Sequence, residues 1–244
     1  MQTVKRFACC CALLAMLFSS CGCDAYADVY DGYDGHVNAA ITLPAPRAYG
    51  DMSVEAALLN RRSQRDFTDQ ALSLEQLSQI LWAAYGVTMP HPAANLRGGL
   101  RTAPSAGAVF PLEIYAVVGD VEGLEPGVYR YISENHSLVK TISGDVRGPL
   151  TQAALSQSWV GSAPVTIVYS AVFDRITARY GSRGIPYAYI ELGHSAQNVY
   201  LQAVALGLGT VAVGAFIDDM VAHILQLPEN ETPLYLMPVG HYHN

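Results

Sequence analysis

Three arginines fall within five residues in Arg61-Arg62-Ser63-Gln64-Arg65-Asp66-Phe67, in a chain with only 14 Lys+Arg among 244 residues. A guanidinium keeps its charge and matches phosphate or carboxylate oxygens two at a time, so so compact an Arg-Ser cluster suits a doubly charged phosphate. Further along, Arg101-Thr102-Ala103-Pro104-Ser105-Ala106-Gly107 carries a turn almost bare of side chains. Such a backbone lets a flat ligand approach closely. A phosphate clamp with a bare backbone surface suits a phosphorylated, planar cofactor. The same residues also read as a solvated helix end and an ordinary turn, and on these stretches alone both readings stand.

The neighbouring pattern says what must position them. Ser53 to Arg62 has helical spacing, with Val54, Ala57 and Leu58 on one face, which puts the arginines at a helix C-terminus or in the loop after it. Ser73-Leu74-Glu75-Gln76 is a capping-box signature. It opens a helix through Tyr85, with Leu74, Leu77, Ile80, Leu81 and Ala84 inward and Gly86 as the stop. Residues 88–108 read as a long Pro/Gly-rich loop, a length that is often functional. Residues 112–118, 128–132 and 138–142 have strand composition, the last two as a hairpin. A helix near 149–156 leads to an apolar strand at 164–169. Residues 187–207 read as one long buried helix, apolar on most faces. A strand at 210–213, a short helix at 218–225 and a last strand at 234–239 complete an α+β chain, one mixed central sheet flanked by helices.

Composition narrows the chemistry. The formal charge of -7 argues against a general nucleic-acid surface. Lys5-Arg6, the apolar run from Phe7 to Phe18 and the small residues after it read as an export signal over residues 1–27. Ala25-Tyr26-Ala27 offers cleavage before Asp28. Phe18-Ser19-Ser20-Cys21 offers a lipobox, in which Cys21 would carry a lipid anchor. The destination is then the periplasm, or a membrane as an anchored lipoprotein. Residues 28–50 read as a linker or arm, and 51–244 as the domain. All five cysteines (Cys9, Cys10, Cys11, Cys21, Cys23) precede residue 28. Cysteine nucleophiles, thiolate metal sites and iron–sulfur clusters are thereby excluded from the domain. The seven histidines form no ligand spacing, so no metal is expected. His194 reads as a core or cofactor-side hydrogen-bonding residue. No Gly-x-Ser-x-Gly elbow occurs, and Gly207-Leu208-Gly209 follows a helix, unlike a dinucleotide fingerprint.

Four motifs in order carry a resemblance: Arg61-Arg62-Ser63-x-Arg65-x-Phe67, then Pro104-Ser105-Ala106-Gly107-Ala108-x-x-Pro111-Leu112-Glu113-x-Tyr115, then Gly193-His194-x-x-Gln197-Asn198-x-x-Leu201, then Gly207-Leu208-Gly209-Thr210-Val211-x-Val213-Gly214-Ala215-Phe216. Together, over roughly residues 53–240, they resemble the nitroreductase superfamily, and within it the SagB-type dehydrogenase branch. The resemblance implies a fold that holds FMN noncovalently at a dimer or pseudo-dimer interface, with a homodimer expected here. Arg61, Arg62 and Ser63 then take the phosphate and ribityl chain, and Arg65 the N1–O2 edge of the ring. Pro104, Ser105, Ala106 and Gly107 come from the partner subunit. Val213, Gly214 and Ala215 face N5 and O4, and Gln157 faces the pyrimidine edge. The cofactor would carry the chemistry, with no catalytic side chain, and Tyr180 and His194 are candidates for the substrate pocket.

Two departures stand out. Relatives often carry a Lys or Arg beyond the last strand to complete the phosphate site, whereas this chain ends Gly240-His241-Tyr242-His243-Asn244. Arg97 or Arg101 is the candidate substitute. Azoline-oxidising relatives use a Lys-Tyr pair in proton handling, and the match here is Arg179-Tyr180, whose arginine cannot act as a base. Glu191, in the long helix, is expected to pair with Arg179 or Arg183, with a catalytic acid as the lesser reading. The leading expectation is an exported oxidoreductase working in two half-reactions on a nitroaromatic, quinone or similar small molecule, with an unidentified electron donor. The alternatives are a catalytically idle flavin- or ligand-binding accessory lipoprotein and an azoline-type dehydrogenase.

Overall fold

The computed structural model of the protein describes residues 39–91, 93 and 96–243. The export signal and the first part of the arm lie outside the described residues. Seven strands form one sheet in the order β1-β6-β5-β4-β7-β9-β8: β1 Ile41–Thr42, β4 Leu112–Val118, β5 Gly127–Ile132, β6 Ser137–Ser143, β7 Val165–Ala171, β8 Gly209–Thr210 and β9 Thr232–Gly240. Every ladder in it is antiparallel. The parallel component of the expected mixed sheet is confined to isolated bridges, Ser63 with Thr210 and Leu72 with Val121. The class is α+β, as the pattern of elements implied.

Strands β4 and β7 are buried along their whole length, so the sheet is covered on both faces. Leu112, Ile114, Ala116 and Val118 pack against two helices, α2 (Leu74–Tyr85) and α6 (Gly184–Ala205). The sequence signals of α2 act as expected. The Ser73 hydroxyl accepts the Gln76 N–H at 3.2 Å, and the Gln76 side chain accepts the Ser73 N–H at 2.9 Å. Leu77, Ile80, Leu81 and Ala84 are fully buried, each larger side chain contributing roughly 1.5–3 kcal/mol relative to exposure. Gly86 ends the helix by donating to Trp82 O at 2.7 Å.

Three expectations need correction. The stretch 88–108 is not a plain loop, because β2 (Val87–Pro90) and β3 (Gly99–Arg101) pair antiparallel in it. Helix α6 is not buried on most faces: Ala188, Leu192, Ala196 and Val199 face the core, while Ile185, Tyr189 and Ile190 are 40–53% exposed. In α1 (Val54–Asn60), Ala57 is buried, but Val54 and Leu58 of the same apolar face are 64% and 53% exposed. An apolar stripe tells which face avoids water and is silent about which chain covers it. Two helices were not expected, α4 (Ser158–Ser162) and α5 (Phe173–Tyr180). The strand expected at 210–213 shortens to β8, with Val213 bridging singly to Leu236.

The described part of the arm lies against the domain. Ile41 and Thr42 pair with β6, and Pro44 O accepts from Ser78 Oγ at 2.6 Å and His136 Nε2 at 3.0 Å.

Candidate functional site

The arginine stretch begins where α1 ends. Arg61 N–H closes the helix onto Ala57 O at 2.9 Å. The chain then runs alongside β8, with Gln64 N–H donating to Thr210 O at 3.0 Å. Ser63 Oγ lies 3.1 Å from the hydroxyl of Tyr200 on α6, and that hydroxyl accepts the Ala212 N–H at 2.8 Å. Either hydroxyl of the Ser63–Tyr200 pair can donate to the other. The Arg61 guanidinium sits 5.2 Å from the Tyr200 ring centroid, and that of Arg65 sits 5.5 Å from the Trp159 ring. Gln157 donates both amide hydrogens, to Ala154 O and Ala215 O, each at 2.8 Å. Its amide oxygen is left to accept.

The fold thus gathers Arg61, Ser63, Arg65, Gln157, Val213, Gly214 and Ala215, which come from three separate stretches of sequence. Arg62 behaves differently. Its guanidinium turns back onto the end of α1, donating to Leu59 O at 3.0 Å and Arg61 O at 2.8 Å. There its Nη1 caps the helix. Arg61 and Arg65 have no carboxylate within ion-pair distance among the described residues, and Arg65 does not pair with Asp66 or Asp69. Thr210 Oγ1 and Trp159 Nε1 are buried without a hydrogen-bond partner. Buried polar groups are seldom left so, and here both lie in the same cluster. Tyr200 and Trp159 escaped the sequence reading, and Thr210 entered it only as part of the fourth motif. Tyr200 looked like one more apolar residue of the helix, and its contact with Ser63 spans 137 positions.

The Pro104-Ser105-Ala106-Gly107 turn belongs to a second cluster. Ser105 Oγ accepts the Phe110 N–H at 2.9 Å, and Arg179 donates to Gly107 O at 2.9 Å. Gly107 has φ 61°, and a Cβ there would meet the Tyr180 hydroxyl and the Arg179 guanidinium. The bare turn is therefore required by its neighbours. Beneath it, Tyr85 donates to the carboxylate of Glu191, whose Oε2 is buried without a full partner. Burial pushes the Glu191 carboxyl up to about 7, against the opposing pull of the Ser105 and Tyr85 hydroxyls and of Arg101 and Arg97. Glu191 thus pairs with Tyr85 and not with Arg179 or Arg183.

Arg97 and Arg101 are both engaged away from the arginine cluster. Arg97 binds Glu113 at 2.8 Å and Phe110 O at 2.7 Å. Arg101 is buried over the Tyr85 and Phe110 rings and reaches Glu134 at 3.3 Å. Tyr180 and His194 are not brought together either. Tyr180 packs on Tyr187 at 5.3 Å, and His194 is exposed two helical turns further along, with no contact to Tyr180. Glu191, under the turn, and Tyr200, in the arginine cluster, are nine residues apart on α6, about 14 Å along its axis. Within one subunit the predicted residues form two separate groups. A groove of about 320 Å3, lined by Val54, Ala57, Trp82, Asn198 and Leu201 among others, contains none of them.

The sequence profile of the nitroreductase family matches residues 58–241. A protein of Methanocaldococcus jannaschii whose name places it among the nitroreductases is 48% identical over 190 residues, covering 78% of this chain and 91% of its own. The trifolitoxin operon protein TfxC of Rhizobium leguminosarum is 28% identical over 194 residues, 75% of this chain and 54% of that one, so the chain spans about half its length. An NADPH-flavin oxidoreductase of Vibrio harveyi is 31% identical over 114 residues, 43% of this chain and 47% of that one. Among solved structures, a nitroreductase-type protein of Ralstonia eutropha superposes with a TM-score of 0.70 at 32% identity, covering 84% of this chain and 90% of the other. With its α+β sheet and its gathered Arg-Ser motif, the chain belongs to the nitroreductase family, and it is an oxidoreductase.

Proposed function

We propose that the protein is an exported, FMN-dependent homodimer that passes reducing equivalents from an unidentified donor to an electron-poor small molecule such as a nitroaromatic or quinone. One observation carries the reading. Among the described residues Arg61 and Arg65 flank Ser63 without a carboxylate to neutralise them, and two buried donors, Trp159 Nε1 and Thr210 Oγ1, lack partners in the same cluster. A surface so rich in cations and unspent donors fits a phosphorylated, planar cofactor.

In this reading Arg61 and Ser63 hold the phosphate and ribityl chain. The backbone at Val213, Gly214 and Ala215 and the free amide oxygen of Gln157 border the ring. Arg65, held against Trp159, lays a fixed positive charge at one ring edge and so favours negative charge developing there. FMN bound here supplies hydride exchange at N5. With the redox chemistry in the cofactor, the residues need only bind, orient and exclude water. A guanidinium offers no base, so an arginine at position 179 weighs against an azoline-type reaction that needs one there.

The homodimer rests on two features. The exposed apolar residues of α1 and α6 call for a cover. A second copy would also bring its Pro104–Gly107 turn to the arginine cluster, from which this subunit's own turn is separated along α6. Export to the periplasm or to a membrane, with Cys21 as the candidate lipid site, rests on Lys5-Arg6 and the apolar run after it.

The purified full chain should be yellow. Its flavin, once reduced by dithionite, should be reoxidised by a nitroaromatic faster than free FMN is. A colourless protein that takes up no added FMN would end this reading.

A further inference from the structure

Beside the Pro104–Gly107 turn, two arginines bracket a pair of tyrosines. The Arg179 guanidinium lies 5.5 Å from the Tyr180 ring, Tyr180 meets Tyr187 edge-on at 5.3 Å, and the Arg183 guanidinium lies 5.4 Å from the Tyr187 ring. The order is cation, ring, ring, cation, across the end of α5 and the first turn of α6. Arg179 is tied down through Gly107 O. Both arginines are exposed. Arg97, Arg101, Arg130, Arg147 and Arg175 each have a carboxylate partner. Arg179 and Arg183 have none among the described residues. In a chain of net charge -7 this is not a surplus of base spilling onto the surface.

The chemistry of such a ladder is specific. A guanidinium lying over a ring uses its flat face and keeps its N–H edge for an anion, which a carboxylate can meet with two oxygens. The tyrosines beside it offer a flat apolar surface for an aromatic ring. The ladder adjoins Gly107, whose lack of a side chain leaves room for the Tyr180 hydroxyl.

We propose that Arg179, Tyr180, Tyr187 and Arg183 form a recognition site for planar aromatic substrates bearing a carboxylate or a comparable anionic group, with Arg183 as the main anion contact. The proposal rests on the flavin reading above, which places the Pro104–Gly107 turn beside the cofactor of the dimer. An anion held at Arg183 would present the electron-poor end of the same molecule to that cofactor. The site selects among acceptors and takes no part in the redox step.

The test uses the flavin-loaded full chain with 4-nitrobenzoate and its methyl ester, which keep the nitro-bearing ring and differ in charge. Arg183→Gln should lower kcat/KM for 4-nitrobenzoate about fivefold, the size expected for one exposed ion pair. The loss should lie in KM, the ester should be unaffected, and Arg183→Lys should restore part of the difference. Added salt should shrink the wild-type advantage on the acid alone. Equal effects of Arg183→Gln on both compounds, or none on either, would overturn the proposal. A protein that binds no flavin would instead overturn the flavin reading. Calorimetric titration with 4-nitrobenzoate would then decide the ladder separately, and binding indifferent to Arg183 would reject it.

Discussion

The hydroxyl of Tyr200 joins Ser63, 3.1 Å away, to the Ala212 N–H at 2.8 Å, so one side chain of α6 holds the arginine motif and the Thr210–Ala215 segment in register. Tyr200→Phe keeps the ring under Arg61 and deletes both hydrogen bonds. Its stability cost should be modest, about 1 kcal/mol. Its effect on FMN should be larger than that cost suggests, because two ligand-facing segments lose their common anchor. Urea unfolding and FMN titration on the same variant would measure the two. Unchanged FMN affinity would show that Ser63 is held by other contacts.

Arg61 and Arg65 should separate cleanly. If Arg61 holds the phosphate as proposed, Arg61→Ala removes a charge-assisted contact worth roughly 1.5–3 kcal/mol and should weaken FMN more than riboflavin. In the proposed site Arg65→Gln deletes a charge that would face the ring, so FMN affinity should change less. Its midpoint potential should fall by tens of millivolts, since about 30 mV corresponds to about 1.4 kcal/mol in a two-electron couple. Spectroelectrochemistry with FMN and riboflavin titrations would check both. A potential unmoved in Arg65→Gln would take Arg65 away from the ring.

Glu191 gives a pH dependence with a definite sign. Its carboxyl is raised to about 7 in the folded protein from an ordinary 4.5, first by burial. The folded state therefore binds the proton more tightly than the unfolded chain does. The associated stability is fully present below about pH 4.5 and is lost as pH rises through 7, up to about 3 kcal/mol. Glu191→Gln cannot ionise and should flatten that slope. Unfolding free energies at pH 4.5 and 8 are the measurement, and identical slopes in both proteins would contradict the assignment.

The exposed face of α1 predicts the assembly. Leu58→Glu places a charge on an apolar surface that a second copy would have to bury, which is costly without a partner. Light scattering should show a dimer for the natural chain and a monomer for the variant, with unchanged circular dichroism and weakened FMN binding. A natural chain that is monomeric with flavin bound would reject the homodimer.

Local chemistry was readable along the chain because it depends on neighbours in sequence. The Ser73–Gln76 capping box, the inward stripe of α2, the β5–β6 hairpin and the Arg-Ser motif each concern residues a few positions apart. Their meaning follows from backbone hydrogen bonding and side-chain periodicity. Tertiary structure decided whatever depends on long-range packing. Arg62 and Arg65 look equivalent in the motif, yet one caps α1 and the other lies on Trp159, and only the path after the helix separates them. Glu191 was expected to seek an arginine. The crossing of α2 and α6 set Tyr85 beside it instead, and burial raised its proton affinity. The apolar faces of α1 and α6 were legible as stripes, but a stripe records avoidance of water and cannot record which surface provides the cover.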